Sequence, residues 1–116
     1  MTTATAPAVD LAQAEQAIKQ GLVNARKAAA EFLAKHGDRD ACGFGWTDVY
    51  HVRSNSRLGK LLISLGFKKS YSGTLQYWDP SQSYTQSITA KEVAAQVLAD
   101  ALTQLGLTAY AGSRMD

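Results

Sequence analysis

The spacing of apolar residues in the first third of the chain is helical. From Asp10 to His36, apolar side chains recur at intervals of three and four residues, which predicts an amphipathic helix over residues 10–36. Asp10 is a suitable N-cap, and Gly37 stands where helices commonly end on a left-handed glycine. The apolar stripe of this helix is narrow and holds several small residues: Leu11, Ala14, Ile18, Leu22, Ala25, Ala29 and Phe32.

Small residues on a helix face allow a second helix to come close. The preferred interpretation is that this helix packs on its own domain. The alternative is a helix seam that pairs two copies of the chain, with an interface formed by Ile18, Leu22, Ala25 and Ala29.

The pattern changes at residue 42. Residues 42–53 contain aromatic and β-branched residues without helical spacing, which predicts an extended strand. Gly43 and Gly45 have no Cβ atom, so one face of this strand is bare beside two large rings. A bare face suits close approach by a helix, a partner or a ligand, and the sequence leaves that choice open. The opposite face presents Phe44, Trp46, Tyr50 and Val52.

A capped helix and a hairpin are predicted after the central strand. The polar residues 54–56 can cap a helix whose leucines have helical spacing and which ends at Gly66. Residues 67–71 and 74–78 have strand-like composition, and a Ser-Gly pair between them indicates a tight turn.

The last third of the chain predicts a loop, a helix and a strand. Residues 81–87 are polar and form the longest expected loop. Thr89 and Glu92 have the spacing of a capping box for a second amphipathic helix, which ends at Gly106. Residues 107–111 are short, apolar and strand-like, and the chain beyond them is expected to fray.

These elements predict an α+β protein. The order strand, helix, strand, strand, helix, strand over residues 42–111 is that of a ferredoxin-like βαββαβ unit, with a four-stranded antiparallel sheet and helices on one face. We expect a single α+β domain over residues 10–116, consisting of the helix at 10–36 and this unit. Residues 1–9 are expected to be a disordered lead-in.

Composition narrows the setting. The 116 residues have a formal net charge of +2, too small to indicate a nucleic-acid or membrane partner by itself. The single cysteine excludes an intramolecular disulfide. No apolar run approaches the ~20 residues that span a bilayer, and the first residues lack the features of a signal peptide. We therefore expect a cytoplasmic protein without a membrane partner.

Basic and aromatic residues are interleaved in the middle of the chain, where no acidic residue lies between Asp48 and Asp79. Single-stranded nucleic acid is bound by such mixtures, because cations meet phosphates and rings stack on bases. The same mixture is typical of an ordinary solvated face, and residues 74–79 lack the consensus of the RNA-recognition motif. The candidate nucleic-acid-binding or anion-binding residues are Arg53, Ser54, Arg57, Lys60, Lys68, Lys69, Trp46, Tyr77 and Trp78.

Residues 53–60 also form the start of a predicted helix. Free amides, hydroxyls and cations at such a position suit a phosphate or carboxylate group, so an anion or acyl-carrier ligand is a third option. The first glycine of a Walker loop is missing, and a well-capped helix with a basic first turn is the preferred interpretation.

The sequence gives little support for catalysis. Cys42, Asp48 and His51 include the residue types of a nucleophile, an orienting acid and a base. On a regular strand, however, Cys42 and His51 point to opposite faces and lie about 30 Å apart. We therefore predict a protein that is not an enzyme, with no catalytic residues, no metal and no cofactor.

Several short stretches between residues 41 and 116 share one resemblance: Ala41-Cys-Gly-Phe-Gly-Trp, Leu58-Gly-Lys, Tyr77-Trp-Asp-Pro, Lys91-Glu and Ala109-Tyr-Ala-Gly-Ser-Arg-Met-Asp. Together they resemble a small protein family of tailed bacteriophages with no settled activity. The resemblance implies a phage protein made in the cytoplasm of a bacterial host. It implies no catalytic residues, and it favours a binding protein by association only.

The leading hypothesis is a non-enzymatic accessory protein that acts through protein–protein contacts. Self-association into a homodimer is one form of this hypothesis. A tail that folds back would bring Arg114 to the basic surface or to a partner. The alternative is a protein that binds single-stranded nucleic acid. The position of the first helix distinguishes them, because a helix lying across the aromatic sheet face would exclude stacking on bases.

Overall fold

The computed structural model describes residues 10–37, 40–83 and 85–116. These residues form three helices and a four-stranded antiparallel sheet. This confirms the predicted mixture of helix and sheet and the N-terminal helix, whereas the lead-in at 1–9 lies outside the described residues. The elements are α1 (Leu11–His36), β1 (Gly43–Tyr50), α2 (Arg57–Ser64), β2 (Lys68–Lys69), β3 (Leu75–Trp78), α3 (Ile88–Gln104) and β4 (Thr108–Met115).

Helix α1 has the bounds and the caps that the sequence predicts. The Asp10 carboxylate accepts a hydrogen bond of 2.9 Å from the Ala12 N–H. At the other end Gly37 has a φ of 71°, and its N–H donates to the Leu33 carbonyl. The left-handed backbone at Gly37 satisfies a helical carbonyl and turns the chain away.

The stripe on α1 packs on α3 of the same chain. A Cβ atom at Gly21 would lie only 2.8 Å from the Ala101 Cβ, so the two helix backbones are very close. This packing fits the preferred interpretation of a helix on its own domain, and it occupies the side chains proposed for a self-pairing seam. Ile18, Ala25 and Ala29 are fully buried, and Leu22 packs partly buried against the same core.

Strand β1 is the centre of the fold. The sheet has the order β2-β3-β1-β4, and β1 is antiparallel to both of its neighbours. The strand ends at Tyr50, earlier than the predicted residue 53, because His51 has a left-handed φ of 64°. On the bare face of β1 a Cβ at Gly45 would lie 2.9 Å from the Lys91 carbonyl oxygen. The ligand or partner that the bare face can accommodate is therefore helix α3.

Helix α3 lies between the sheet and α1, which explains its composition. It contacts β1 and β4 on one side and α1 on the other, so it is apolar on most of its circumference. Small side chains permit both approaches, and Ala90, Ala94, Ala95 and Ala99 are all buried. The buried hydroxyl of Thr47 donates to the Ala95 carbonyl at 2.8 Å, which fixes β1 to the helix.

Two predictions in the last third of the chain are wrong. The N-cap of α3 is Ser87 and not Thr89, because the Ser87 hydroxyl accepts a hydrogen bond of 3.1 Å from the Ala90 N–H. The tail does not fray after residue 111 but continues as β4 to Met115. Its hydrogen bonds come from β1, a partner distant in sequence, and Asp116 N still donates to the Cys42 carbonyl.

The hairpin is shorter than predicted. Strand β2 has only two residues, Lys68–Lys69, in place of the predicted 67–71. The preceding residue, Phe67, is a fully buried core side chain whose N–H donates to the Leu62 carbonyl at the end of α2, and so it does not belong to the strand. The predicted turn is present, with Gly73 at a φ of 89°.

Candidate nucleic-acid interface

The face of the sheet opposite the helices, here called the open face, is lined by aromatic side chains. Within the described ranges α3 packs on the other face of the sheet and α1 packs on α3, so neither of these helices lies over the open face. Three of its rings are well exposed: Trp78 at 48%, Tyr50 at 37% and Tyr110 at 63%. The condition that would have excluded stacking on bases, a first helix lying over these rings, is therefore not met by α1.

Two tryptophans form the centre of the open face. Trp46 and Trp78 are cross-strand partners, and their rings stack with centroids 5.3 Å apart and planes within 3°. Phe44 lies beside them, 5.8 Å from the Trp78 ring. On the other side of β1, a Cβ atom at Gly112 would lie 2.5 Å from the Trp46 indole nitrogen. The glycine thus makes room for the indole, which covers β4.

A carboxylate holds this arrangement in place. Asp48 accepts a hydrogen bond of 3.1 Å from the Trp46 indole N–H through one oxygen. Its other oxygen accepts from the Thr74 hydroxyl at 2.9 Å and from the Gln76 amide at 3.0 Å. Three donors, from β1, from β3 and from the residue just before β3, satisfy the Asp48 carboxylate oxygens and fix the orientation of Trp46.

Two cations lie beside Phe44, the ring nearest the start of β1. The Lys91 ammonium and the Arg114 guanidinium each lie 5.5 Å from the centroid of the Phe44 ring. Lys91 also donates to the Gly43 carbonyl at 3.0 Å. Arg114 therefore lies on the open face, and it is not among the residues that line the hollows described below.

A hollow of about 470 Å³ lies at the β2–β3 edge of the sheet, and we call it the edge groove. Tyr77 lies at its inner side, with its ring edge-on to Phe67 at 5.2 Å. Burial raises the pKa of Tyr77 above its ordinary value of 10, so its hydroxyl remains a neutral donor at physiological pH. The edge groove is lined by Gly66, Lys68, Lys69, Gln76, Tyr77, Trp78 and Gln82.

A larger hollow of about 710 Å³, the end cleft, lies where β1 ends. Lys69 lines both hollows and joins them into one surface, called here the basic-aromatic surface. None of the described residues that line the two hollows is acidic. The end cleft is lined by Tyr50, His51, Val52, Arg53, Ser54, Asn55, Lys69, Ser72, Gly73, Thr74 and Leu75.

The fold brings together seven of the nine residues suggested by the sequence. Arg53, Ser54, Lys68, Lys69, Tyr77 and Trp78 line the basic-aromatic surface, and Trp46 stacks on Trp78. Arg57 and Lys60 are exposed on α2 but line neither hollow.

The start of α2 is closed by its own residues. The Ser56 hydroxyl accepts a hydrogen bond of 3.0 Å from the Gly59 N–H. A Cβ at Gly59 would collide with the Arg53 carbonyl, so the helix start packs directly on the preceding turn. The Gly59 N–H is therefore not free to bind the anion or acyl-carrier ligand that the sequence suggests at residues 53–60.

Sequence reasoning missed several residues of the open face. The predicted strand at 107–111 contains Tyr110 but gives it no role, although Tyr110 and Arg114 lie on either side of Gly112 at the alternating spacing of a strand. That alternation was the available signal. Gln76 was missed because an amide in a four-residue strand has no recognisable pattern.

The groups considered for catalysis and metal binding do not converge. The Cys42 thiol is exposed and donates to the Gln86 side chain at 3.2 Å, at the opposite end of β1 from His51. No cluster of three or more metal-ligating side chains occurs among residues 10–37, 40–83 and 85–116. No helix in those same ranges is long and apolar enough to cross a bilayer.

The chain matches no protein-family model, no curated protein and no solved structure. The resemblance to a tailed-phage family therefore stays a prediction. What the protein can do is inferred from the geometry of its surfaces.

Proposed function

We propose that this protein binds single-stranded nucleic acid through the basic-aromatic surface, without catalysing a reaction. The observation in its favour is the position of Lys69, which joins a cleft containing Arg53 to a groove containing Trp78. None of the described residues that line this path is acidic, so a phosphate backbone that follows it meets Arg53, Lys68 and Lys69 without a carboxylate in the lining.

The expected binding mode follows from the side chains. Lys68, Lys69 and Arg53 neutralise successive phosphates, and Trp78, which is 48% exposed, offers a ring face or edge to a base. Base–aromatic stacking contributes about 1–3 kcal/mol per base and tolerates every base. Binding should therefore depend strongly on salt and weakly on sequence.

The proposal also concerns the topology of the fold. We propose that β1 to β4 with α2 and α3 form a ferredoxin-like unit, which the strand order β2-β3-β1-β4 and the antiparallel pairings support. In such units RNA-binding rings lie on the two central strands. Here those strands are β1 and β3, which contain Trp46 and Trp78.

The tailed-phage resemblance suggests a biological setting. We propose an accessory protein of a tailed bacteriophage that acts in the cytoplasm of its bacterial host. Single-stranded nucleic acid is exposed there during replication, recombination and transcription, so a binder with little sequence preference has a substrate in that compartment.

Protein–protein contact remains the second candidate, and a specific observation favours it. Trp78, Tyr110 and Arg114 are exposed on the open face, and these three residue types are enriched in interface hot spots. The two candidates differ in location, because Tyr110 and Arg114 line neither the edge groove nor the end cleft.

Tryptophan fluorescence tests the leading proposal directly. The protein is titrated with a short single-stranded oligonucleotide at low and moderate salt. We expect quenching that saturates and that weakens as salt rises, because Trp78 stacks on a base and phosphate contacts release counterions. An unchanged spectrum at low salt would overturn nucleic-acid binding and leave the protein–protein candidate.

A paired charge variant locates the surface. Lys68→Gln with Lys69→Gln should weaken binding about tenfold and reduce the slope of log K against log salt by about 1.4, since single strands give about 0.7 per phosphate contact. Lys27→Gln with Lys35→Gln changes the net charge equally on the exposed side of α1. If this control weakens binding as much as the first pair, the attraction is a general charge effect.

A further inference from the structure

We propose that two copies of this chain associate through the outer edge of β4, joining their sheets into one. Strand β4 is the last strand in the order β2-β3-β1-β4, so one of its edges faces away from β1. This inference concerns a surface that the proposed nucleic-acid site does not use.

The hydrogen-bonding groups on that edge can be identified. The Gly45 carbonyl accepts from Asp79 on the β3 side of β1, and the Cys42 carbonyl accepts from Asp116 on the β4 side. Successive residues of a strand direct their backbone groups to opposite sides, so the even-numbered residues of β1 bond to β4. By the register, the even-numbered residues of β4 bond back. The outward groups belong to Ala109, Ala111, Ser113 and Met115.

This edge lacks the usual protection against pairing. Natural edge strands are kept short, or contain proline or charged side chains, lysine above all. The opposite edge obeys this rule, because β2 consists of two lysines, Lys68–Lys69. Strand β4 has eight residues, with the sequence TAYAGSRM; it contains neither lysine nor proline, and its one charged side chain is Arg114. No strand within residues 10–37, 40–83 and 85–116 pairs with its outer edge.

The sequence of β4 is complementary to itself in one register. With a twofold axis at Gly112, the outward residues pair as Ala111 with Ser113 and Ala109 with Met115, and each pair exchanges two backbone hydrogen bonds. On the open face the same register places Tyr110 opposite Arg114 of the copy. Both side chains are exposed, and the Arg114 guanidinium, which lies over Phe44 of its own chain, would meet the phenol ring of the copy in a second cation–π contact.

Symmetry doubles every contact of this register. The axis generates two Tyr110–Arg114 pairs and covers Met115, which is 67% exposed in the single chain. An unrelated peptide could also add a strand to this edge, but it would not supply the matching arginine and tyrosine by symmetry. A second copy is therefore the occupant that the side chains favour.

Sedimentation velocity over a range of protein concentrations tests the association. We expect a monomer–dimer equilibrium for the wild-type protein. Ala111→Pro should abolish it, because proline lacks the outward N–H of residue 111. The hydrogen bonds between β4 and β1 should remain, since they come from the even-numbered residues of β4. Circular dichroism checks that this variant is folded. A protein that stays monomeric at every concentration overturns the proposal, as does a dimer that withstands Ala111→Pro.

A disulfide pair tests the register and does not depend on a proline. In a Cys42→Ser background, Tyr110→Cys with Arg114→Cys should form a covalent dimer on oxidation, because non-hydrogen-bonded partners are close enough to bridge. Neither single cysteine should cross-link comparably, since each lies far from its own copy across the axis. Equal cross-linking by a single variant overturns this register. Oligonucleotide affinity of the same variants reports on the proposed function separately.

Discussion

The two faces of β1 have opposite compositions. The face toward the helices has Gly43, Gly45, Thr47 and Val49, all buried, whereas the open face has Phe44, Trp46, Asp48 and Tyr50. The face toward α3 has glycines where the helix backbone comes close, whereas the large rings lie on the open face, where neither α1 nor α3 packs. The difference teaches that one strand can serve stability on one face and recognition on the other. Substitutions should divide in the same way.

The largest expected effect is at Gly45 on the covered face. In Gly45→Ala the new methyl meets the Lys91 backbone, with the carbonyl oxygen 2.9 Å away, and a helix backbone cannot turn aside as a side chain can. We expect a loss of about 2 kcal/mol in the free energy of unfolding, as for other overpacked sites. Urea denaturation measures it.

Gly112→Ala is the matched control on the open face. Its methyl would meet the Trp46 indole nitrogen, so the ring must shift and weaken its hydrogen bond to Asp48, but a side chain can move as a helix backbone cannot, and fewer unfolded conformations offset part of the strain. We expect a loss of no more than about 1 kcal/mol, the usual contribution of one such hydrogen bond, together with a changed near-ultraviolet dichroism from the disturbed Trp46–Trp78 stack. Equal losses at both glycines would contradict the division between the faces.

A smaller effect is expected from Thr47→Val. The substitution keeps the shape of the side chain but removes the buried hydrogen bond of 2.8 Å to the Ala95 carbonyl. We expect a loss of about 1 kcal/mol in the free energy of unfolding, the usual contribution of one such bond. Oligonucleotide affinity should not change, because Thr47 lies on the covered face. A large loss of affinity would show that the two faces are coupled.

The smallest effect concerns the attachment of the covering helix. Hydrogen bonds from Ser87 and Thr89 at the start of α3 lower the pKa of Asp40 from its ordinary 3.8 to about 2. A lowered folded pKa stabilises the fold above pH 3.8, and this contribution disappears as the pH falls from about 4 to about 2. Asp40→Asn should therefore reduce the dependence of stability on pH in that window.

Urea midpoints at several pH values between 2 and 5 measure this dependence. Asp100→Asn removes a carboxylate from the other end of α3 and is the matched control for charge. Equal slopes for the wild-type protein and Asp40→Asn would contradict a role of Asp40 in holding α3.

The sequence predicts features that depend on neighbouring residues. The helix at 10–36 was predicted to within one residue of α1, because its caps and spacing are local. The Gly43–Gly45 face was predicted as a close-approach surface for the same reason, although only the tertiary structure identifies α3 as the element that approaches. Local patterns indicate that a strand face is bare, but they do not identify the element that packs on it.

Features fixed by distant partners could not be predicted. Residues 112–115 look like a flexible tail, yet they form a strand because β1 supplies their hydrogen bonds. The local spacing favours Thr89 and Glu92 as the cap of α3, whereas the helix begins after Ser87 because the Cys42–Ser87 bridge holds that residue against the start of β1. The sequence does not distinguish Lys69 from the other lysines, because its position between the two hollows depends on the tertiary structure.

The central position of β1 has a kinetic consequence. It is the first strand of the chain, but its partners are β3 and, in the register of Gly43 with Met115, the last described residues. Closing such a long loop costs entropy before any strand contact compensates, and folding slows as contacts become more distant in sequence. The helices can form early, whereas the pairing of β1 with β4 must wait until residues 43–50 meet residues 108–115. Until then the edge of β1 that β4 will cover stays unpaired, and the folding chain is most exposed there to association with other chains.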